Sequence, residues 1–321
     1  MKTTAKVFTI IGGILVVGGL LLAILGFSFG GLNAKNHRNG SGYIKETKSY
    51  DVSEVNQIET DLDNRKITIL STNNDKINMT YYTKENDRMI SSQHGKNVTL
   101  KSEHAENWYD YIFNFEFLSF SFDSINYNEV VIEIPSSYQD ELVLKTSNSS
   151  IELADFKKLS SLECVTSNSK VLARDINCKN AYFKSTNGRI ELTNIISDGK
   201  ITADTSNAKV TLSSCKANEM EIKTTNNQIF LDNVVADKSI TSATSNGKIE
   251  LLNLVSDDIY LKSSNAKIEG TIKGNQEEYN ITTKTSDSNS SLPSNKDGTT
   301  NKSLFAKTSN ARIDIEFVGN R

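Results

Sequence analysis

Proline is almost absent from the 321 residues, with two occurrences, and the 17 glycines follow no three-residue period. These two features exclude a collagen-like protein and a proline-rich stalk. The net charge of −3 gives no electrostatic reason to expect nucleic acid as a partner. The composition is instead rich in Asn, Ser, Thr, Lys and Ile, as expected for strands with polar outer faces.

One short motif recurs from residue 146 to the end of the chain, and the copy TSNGKIEL, which begins at Thr244, is typical of it. The asparagines of the first seven copies are separated by 20, 19, 20, 19, 20 and 19 residues. A spacing this regular predicts a linear stack of similar structural units. The asparagines of the eight copies are Asn148, Asn168, Asn187, Asn207, Asn226, Asn246, Asn265 and Asn310.

Each copy alternates between apolar and polar residues on both sides of its asparagine. When the asparagine is position zero, positions +3, +5 and +8 after it and positions −6 and −4 before it are mostly apolar. In the copy of Asn246 these include Ile249, Leu251 and Ile240. A period of two is typical of strands, because successive side chains of a strand point to opposite faces. Each copy therefore predicts two short strands, joined by the Thr-Ser-Asn corner and by a second corner such as residues 255–258.

A unit of about 20 residues is too short for a β-α-β unit and matches one coil of a β-solenoid. Coils stacked about 4.8 Å apart would make the regular part roughly 35–40 Å long. The predicted fold class is therefore all-β. It is a single-stranded β-solenoid, or β-helix, with an asparagine ladder at one corner of its coils, preceded by one transmembrane helix.

The chemistry of asparagine explains its place at a corner. Asparagine tolerates left-handed backbone geometry better than most residues with a side chain, so it suits a sharp bend. Its amide has donors and acceptors, so identical side chains stacked coil over coil can bond to one another. The Thr or Ser at position −2 is in phase with the inward positions, so we expect its hydroxyl to join this network. The same row could instead bind a ligand, but the internal ladder needs none and is the interpretation that we favour.

The three cysteines are Cys164, Cys178 and Cys215, an odd number that allows at most one disulfide. Cys164 and Cys215 fall at inward positions, whereas Cys178 falls at a corner. Cys178 and Cys215 lie about two coils, or roughly 10 Å, apart, which is too far for a disulfide. We therefore expect the three side chains to be small buried apolar groups.

Histidine is scarce, and His37, His94 and His104 all lie outside the repeats. No spacing of His, Cys and Asp predicts a metal site. Carbohydrate-active β-helix enzymes, a remote alternative, need paired carboxylates, a basic residue or a metal on one face. The sequence shows no such set, so we expect no enzyme activity, no catalytic residue, no metal and no cofactor.

One long apolar run, VFTIIGGILVVGGLLLAILGFSF at residues 7–29, contains no charged residue. As a helix it would reach about 34 Å, enough to span a bilayer. A basic tail, residues 1–6, precedes it, and a flexible linker, residues 30–54, follows it. The alternative is a signal peptide cleaved near Ala34, although its apolar core would be shorter. Basic residues are nearly balanced across the run. We place the solenoid outside a plasma membrane crossed by a single span, because a polar β-solenoid suits an exported domain.

Small residues form a stripe along the predicted membrane helix, since three of its glycines lie seven residues apart. Such a stripe allows two helices to approach closely in lipid, which would suit self-association or another membrane protein as partner. Membrane helices also tolerate glycine without any partner. The stripe consists of Gly12, Gly19, Ala23, Gly26 and Gly30.

Residues 55–137 predict irregular N-terminal coils, and residues 138–321 predict the regular solenoid with a polar loop at residues 288–301. Before that loop, Asp287 takes the place of the corner asparagine. An aromatic insertion at residues 108–122 either caps the open first coil, as solenoid ends require, or contacts a partner, a glycan or the bilayer surface. We favour the cap. The aromatic side chains named for either role are Trp108, Phe113, Phe115, Phe117, Phe120 and Phe122.

A row of basic residues follows the asparagines at position +2. Position +4 holds Glu152, Glu191 and Glu250, and both positions point outward, where opposite charges on adjacent strands suit a solvated face. As a hypothesis, the stacked cations attract anionic wall polymers such as teichoic acids. The basic row consists of Lys170, Arg189, Lys209, Lys248, Lys267 and Arg312.

Three kinds of segment carry a resemblance to a known family. The opening VNQIETDLDNRKITIL, the segment VVIEIPSSYQDELVLKTSNSSIEL and the repeated TSNGKIEL units together resemble the putative-adhesin β-strand-repeat family of Gram-positive bacteria. The resemblance covers roughly residues 55–318 and implies a solenoid at the cell surface. The family's domain is of unknown function, some relatives sit beside cell-envelope stress systems, and there are no catalytic residues to carry over.

The sequence therefore predicts a membrane-anchored β-solenoid of the cell envelope that acts as a non-catalytic, adhesin-like surface-binding protein or as a scaffold. Its partners would be the membrane, through a single span, and wall polymers, a host surface or another membrane protein. The alternative is an accessory or regulatory membrane protein of an envelope-stress response that acts through its membrane helix.

Overall fold

The computed structural model of the protein describes residues 42–85, 87–104 and 127–319. The predicted basic tail 1–6, the membrane span 7–29 with its small-residue stripe, and the aromatic insertion 108–122 lie outside these residues. Within the described part of the chain, no helix has the length and apolar character that crossing a membrane requires. Its helices are two short 3-10 turns, Val52–Glu54 and Gln276–Glu278.

The described residues form 23 strands that belong to one continuously hydrogen-bonded sheet. In chain order they are β1 (Ile44–Asp51), β2 (Gln57–Leu62), β3 (Lys66–Thr72), β4 (Lys76–Thr83), β5 (Asp87–His94), β6 (Asn97–His104), β7 (Glu129–Pro135), β8 (Glu141–Thr146), β9 (Ile151–Leu159), β10 (Ser161–Thr166), β11 (Val171–Cys178), β12 (Ala181–Ser185), β13 (Ile190–Thr205), β14 (Val210–Ser213), β15 (Lys216–Lys223), β16 (Ile229–Asp232), β17 (Val235–Ala243), β18 (Ile249–Lys262), β19 (Ile268–Lys273), β20 (Tyr279–Lys284), β21 (Asn295–Lys296), β22 (Lys302–Lys307) and β23 (Ile313–Val318).

The regular coils stack in parallel and in register. Ile190 of β13, for example, pairs with Val171 of β11 on one side and with Val210 of β14 on the other. Residues at the same position of neighbouring coils pair in this way along the stack, so each coil satisfies the backbone groups of the next. The predicted all-β, solenoid-like fold is confirmed.

The inward positions of the coils form one apolar core. In the coil of Asn187, the side chains of Ile190, Leu192, Ile195 and Ile201 are fully buried. They belong to a single cluster that runs through all the regular coils. A single coil could not bury this face alone, so removal of apolar surface from water is what holds coil on coil.

Each of the first six regular coils has a bend that the sequence analysis did not predict. It lies at position +7, where the backbone is left-handed, with φ between 51° and 68°. Residues with short polar side chains accept this geometry more readily than bulky ones. The residues at this bend are Asp155, Asp175, Asn194, Ser214, Asn233 and Asn253.

The reason given above for asparagine at the Thr-Ser-Asn corner was therefore wrong in one part. Among the described residues with positive φ, none is an asparagine of the repeated motif. Left-handed geometry is needed at position +7 instead. The corner asparagines contribute their amides, not an unusual backbone.

The N-terminal end has an extra coil outside the first one. β6 pairs in parallel with β2, and β7 pairs in parallel with β3. Antiparallel strands then follow on both sides, with β5 on β6, β4 on β7 and β1 on β4. β1 lies within the predicted linker 30–54, so the prediction of a flexible linker was wrong for this strand. The edge of β4 offers backbone donors and acceptors that β1 satisfies.

At the C-terminal end, the order of the strands departs from the order of the chain. β22 pairs with β18 on one side and with β20 on the other, although β20 comes first in the chain. β23 pairs with β19, and the two-residue β21, within the polar loop, pairs with the edge of β20. The last coil is thus inserted into the stack, between β18 and β20.

All three cysteines are free and buried. Cys178, expected at a corner, ends β11 with 5% of its surface exposed. Burial raises the pKa of Cys178 to about 12 and that of Cys215 to about 11, and it raises the pKa of Cys164 well above its usual range. The reactive thiolate form is therefore scarce at neutral pH.

We expect the folded protein at pH 8 to react with a thiol reagent such as DTNB only as fast as it unfolds, because its thiols are buried and protonated. In urea all three cysteines should react at once. Asn74→Cys, in the exposed turn after β3, is the control that should react quickly in the folded state. Fast labelling of a native cysteine in the folded protein would contradict this prediction.

Candidate functional site: the corner asparagines and the outward rows

The corner asparagines form a continuous row of hydrogen bonds, here called the asparagine ladder. Nδ2 of each asparagine donates to Oδ1 of the asparagine one coil nearer the N-terminus, for example from Asn207 to Asn187 at 2.7 Å. The eight bonds are 2.6–2.8 Å long. Seven of them join the eight asparagines of the repeated motif, and the eighth extends the row beyond Asn148.

The ladder begins one coil earlier than the sequence analysis recognised. Asn64, between β2 and β3, accepts from Asn148 at 2.8 Å. A signal for it exists in the sequence, because Ile67 and Ile69 follow Asn64 at positions +3 and +5. The regular spacing is missing, since 84 residues separate the two asparagines.

Buried hydroxyls at position −2 support the same corner from inside. Thr205 Oγ1 donates to the carbonyl oxygen of Gly188 in the preceding coil at 3.2 Å, and Ser185 Oγ donates to that of Ser169 at 3.0 Å. Both hydroxyl-bearing residues are at most 2% exposed. The hydroxyls and the ladder amides are thus bonded within the stack, as a structural corner requires.

The ladder of amides ends at Asn310. Asp287, which stands in the asparagine place of the next coil, donates its backbone N–H to the carbonyl oxygen of Ser309 at 3.2 Å. The corner is therefore formed by the backbone as in the other coils. An ionised carboxylate has no donor, so it cannot extend the row of Nδ2 donors beyond Asn310.

We expect Asn207→Ala to lower the free energy of unfolding by about 1–2 kcal/mol, because it removes two neutral hydrogen bonds of the ladder, to Asn187 and from Asn226. The measurement is the urea midpoint with its m-value. Asn74→Ala, in an exposed turn, is the matched control and should change the free energy by less than about 0.5 kcal/mol. Equal losses in both variants would contradict a stabilising ladder.

The predicted basic row at position +2 is largely neutralised. Five of its six residues have a carboxylate within 3.5 Å, as in Lys170 with Glu152 at 3.0 Å and Arg189 with Glu191 at 2.6 Å. The sixth, Lys209, lies over the ring of Phe230 at 5.1 Å from its centroid. Ion pairing with position +4 weakens the case for this row as an anion-binding strip, because each paired cation already has a counter-charge.

Another paired charge lies on β15. Glu221 accepts from Lys200 at 2.5 Å and from Lys223, and these two hydrogen bonds lower its pKa to about 2. In the unfolded chain the pKa returns to the ordinary value near 4.5. The ionised form is thus favoured by folding, so its contribution is present above pH 4.5 and is lost as the pH falls towards 2.

We therefore expect Glu221→Gln to be less stable than the wild type at pH 7 and equally stable near pH 2. The difference in the free energy of unfolding should disappear between pH 4.5 and 2. Urea unfolding at a series of pH values measures it. Glu219→Gln, on the same strand, is the control. A difference that stays constant with pH would show that Glu221 acts by packing and not by charge.

A second outward row, at position −3, changes its character at the C-terminal end. From β6 to β18 no two lysines of this row occupy adjacent strands. From β18 onward three lysines do, namely Lys262, Lys307 and Lys284, which we call the terminal lysine row. The full order across the stack is Lys101, Asp61, Lys145, Val165, Lys184, Asp204, Lys223, Ala243, Lys262, Lys307 and Lys284.

Two aromatic rings stand beside the terminal lysine row at position −5. Tyr260 and Phe305 are stacked, with ring centroids 5.0 Å apart and planes at 7°. Lys284 Nζ lies 5.7 Å from the centroid of the Phe305 ring. The sequence analysis missed this group, because the order β18–β22–β20 brings together residues that are not in successive repeats.

The described residues contain no group of three or more His, Cys, Asp or Glu side chains that could hold a metal ion. A groove of about 390 Å³ lies on the outward side of the early coils and is lined in part by Leu172, Glu152 and Glu191. Both carboxylates have a basic partner, Lys170 and Arg189 respectively. Neither of these two carboxylates is therefore a free acid or base for proton transfer.

Comparisons with known proteins place these features in context. No curated protein matches the chain. Similar solved structures include a "putative adhesin" from Parabacteroides distasonis, which is 11% identical and has a TM-score of 0.46, with 86% of this chain and 98% of that one covered. A "putative lipid binding protein" from the same species is 12% identical, with a TM-score of 0.46 and coverage of 85% and 96%. A "putative cell adhesion protein" from Clostridium sporogenes is 9% identical, with a TM-score of 0.25 and coverage of 86% and 98%.

Identities and TM-scores this low support no argument about function or source, so the Gram-positive part of the resemblance noted above stays a prediction. A family model decides the matter of membership. The model described as Toastrack DUF4097 matches residues 55–317, which include every regular coil. The chain therefore belongs to the Toastrack DUF4097 family.

Proposed function

We propose that this chain is a membrane-anchored protein of the cell envelope whose solenoid is a non-catalytic surface-binding domain. One observation carries the proposal: two sets of residues in each coil have separate uses. The residues that recur, such as Asn207, Thr205 and Val210, bond or pack within the stack. Some outward positions, such as position −3, differ from coil to coil. A stack of this kind offers an extended, rigid face for recognition.

The state of the outward carboxylates supports the non-catalytic part of the proposal. Hydrogen bonds from lysines lower the pKa of Glu221 and of Glu269, so both stay ionised at neutral pH. A general acid would need the opposite shift, towards neutral pH. Their partners, Lys200 and Lys248, are likewise on the surface. Such pairs suit a solvated face better than a reaction centre.

The location at the envelope rests on the apolar run at residues 7–29 and on the polar outer face of the solenoid. The test is protease treatment of intact cells that carry a tag after Arg321. We expect the tag to be removed without lysis, because the solenoid is proposed to lie outside. Removal only after lysis would overturn the outside location and favour an internal scaffold.

Replacing residues 7–29 by an unrelated membrane span separates surface binding from the regulatory alternative. If the solenoid binds at the surface, intact cells with the replaced span should bind immobilised wall polymer as before. If the chain regulates an envelope-stress response through its helix, the response of a stress reporter should be lost. The regulator would be favoured if the strain with the replaced span loses the reporter response but binds the polymer as well as the strain with the original span does.

A further inference from the structure

We propose that the C-terminal end of the solenoid carries a binding site for an acidic polysaccharide, formed by the terminal lysine row and the Tyr260–Phe305 pair. The inference rests on the proposed surface-binding function. It adds to that function a particular site and the chemical class of the ligand. We call these five residues the terminal platform.

The first argument is the repulsion that the terminal lysine row tolerates. Lys262 lies directly opposite Lys307, and Lys307 lies directly opposite Lys284. Neighbouring strands are about 4.8 Å apart, so the three positions fall within about 10 Å. Like charges directly opposite one another destabilise a sheet. An unfavourable pairing of this kind that brings no gain in stability is expected at a functional site.

The second argument is that these lysines do not have the partners that other lysines of the solenoid have. Lys145, at the same position in an earlier coil, lies 3.5 Å from Glu163 at position −5. In the terminal platform, position −5 holds Tyr260, Phe305 and Thr282 instead of a carboxylate. Among the described residues, no ion pair involves any of the three platform lysines. The platform therefore keeps its positive charge available to a ligand.

The third argument is an open aromatic face. Tyr260 is 39% exposed, and its ring stacks on Phe305 on one side only. On its other side lies β17, whose matching residues are the short Thr241 opposite Tyr260 and Ala243 opposite Lys262. These side chains are too short to cover the ring, which agrees with its 39% exposure. An apolar face of a sugar ring packs on such an aromatic face, while an acidic group of the same sugar reaches Lys262.

An acidic polysaccharide matches both parts of the platform. It has a ring face for Tyr260 and repeated anionic groups for a row of three lysines. Polyphosphate has the charge without the ring, and a neutral glycan has the ring without the charge. Single-stranded nucleic acid also stacks and carries charge, so the test below compares it directly with the polysaccharide.

The test is a titration of the full-length chain, in neutral detergent micelles, with polygalacturonate oligosaccharides and with their fully methyl-esterified, neutral form. We expect binding of the acidic form only. Replacing Lys262, Lys284 and Lys307 by serine should weaken it by about tenfold or more. Tyr260→Ser should weaken it by about threefold to tenfold, as expected for the loss of an aromatic contact.

The matched control replaces Lys209, Lys248 and Lys267 by serine, which changes the net charge equally at position +2. It should weaken binding by less than about threefold, through long-range charge alone. The platform triple variant should melt no lower than the wild type, because it removes repulsion between adjacent lysines. A lower melting temperature would show that the lysines stabilise the fold and would overturn the site.

Several other results would overturn the inference. These are no binding by the wild type, equal weakening in both triple variants, or binding that does not depend on Tyr260. The chain is also titrated with polyphosphate, a single-stranded oligonucleotide and anionic lipid vesicles. If one of these binds more tightly than polygalacturonate, that ligand and not a polysaccharide is the one that the site recognises. If the tag after Arg321 is exposed on cells but polygalacturonate does not bind, the site is wrong and the location stands. If polygalacturonate binds but the tag is protected, the site stands and the proposed location is wrong.

Discussion

Replacing Phe183 by alanine should lower the free energy of unfolding by about 3–5 kcal/mol, one of the two largest effects that we expect. Phe183 lies at position −4 in β12 and is fully buried. Its partners in register are Cys164 on one neighbouring strand and Ala203 on the other. Both are small, so the ring fills space that they leave, and its removal opens a cavity that they cannot fill.

Phe230→Ala is the matched control, because it deletes the same side chain from the outward face. Phe230 lies at position +4 in β16, where Lys209 contacts its ring. We expect a smaller loss, of about 1–2 kcal/mol, since the ring is only partly buried and makes one cation–π contact. Urea unfolding of both variants, with comparison of midpoints and m-values, measures the difference. Similar losses in the two variants would contradict the inward and outward assignment of these rows.

Arg65→Ala should have an effect of similar size, about 3–5 kcal/mol, because it removes the buried cation of an ion pair. Arg65, just before β3, is 3% exposed. Its guanidinium donates to the carboxylate of Asp87, to the carbonyl oxygen of Tyr127 and to the side chain of Asn128 at 3.4 Å. These partners join the first coil to β5 and to the segment that enters β7. Removing the cation takes away these three hydrogen bonds at a position that is almost fully shielded from water.

Two further variants test this explanation. Arg88→Ala removes an exposed pair of the same type, since Arg88 and Glu103 are 3.5 Å apart with side chains 64% and 51% exposed. It should cost less than about 1 kcal/mol. Arg65→Met combined with Asp87→Leu should be more stable than Arg65→Met alone, because the double variant does not place an apolar side chain against the partly buried carboxylate of Asp87. A double variant less stable than the single one would contradict the ion-pair explanation.

Much of the fold could be predicted from the sequence because the same pattern of residues recurs in coil after coil. The regular spacing of Asn148 to Asn265 and the alternation around each asparagine predicted strands, parallel stacking and the row of amides. The bend at position +7 also left a signal, in the column that contains Asp155 and Asn194. It was not used because alternation between inward and outward residues continues on both sides of the bend.

The candidate site was harder to predict from the sequence, because the balance of charges depends on which strands are neighbours. The basic row was correctly placed on the outside, but its pairing with the carboxylates at position +4 weakens its use for anions. The terminal platform was missed, since β22 enters the stack between β18 and β20. No local pattern predicts that Lys307 will lie between Lys262 and Lys284.

The sequence by itself determined the parts of this protein that repeat: the coil length, the inward and outward positions, and the amide row at the corner. These follow from local periodicity, which every coil obeys in the same way. Only the tertiary structure decided the parts that occur once. They are the closing strands at the N-terminal end, the buried Arg65 and the inserted last coil that brings three lysines and two aromatic rings together. The physical reason is that a contact between strands distant in the chain depends on the order of the stack, which local alternation does not encode.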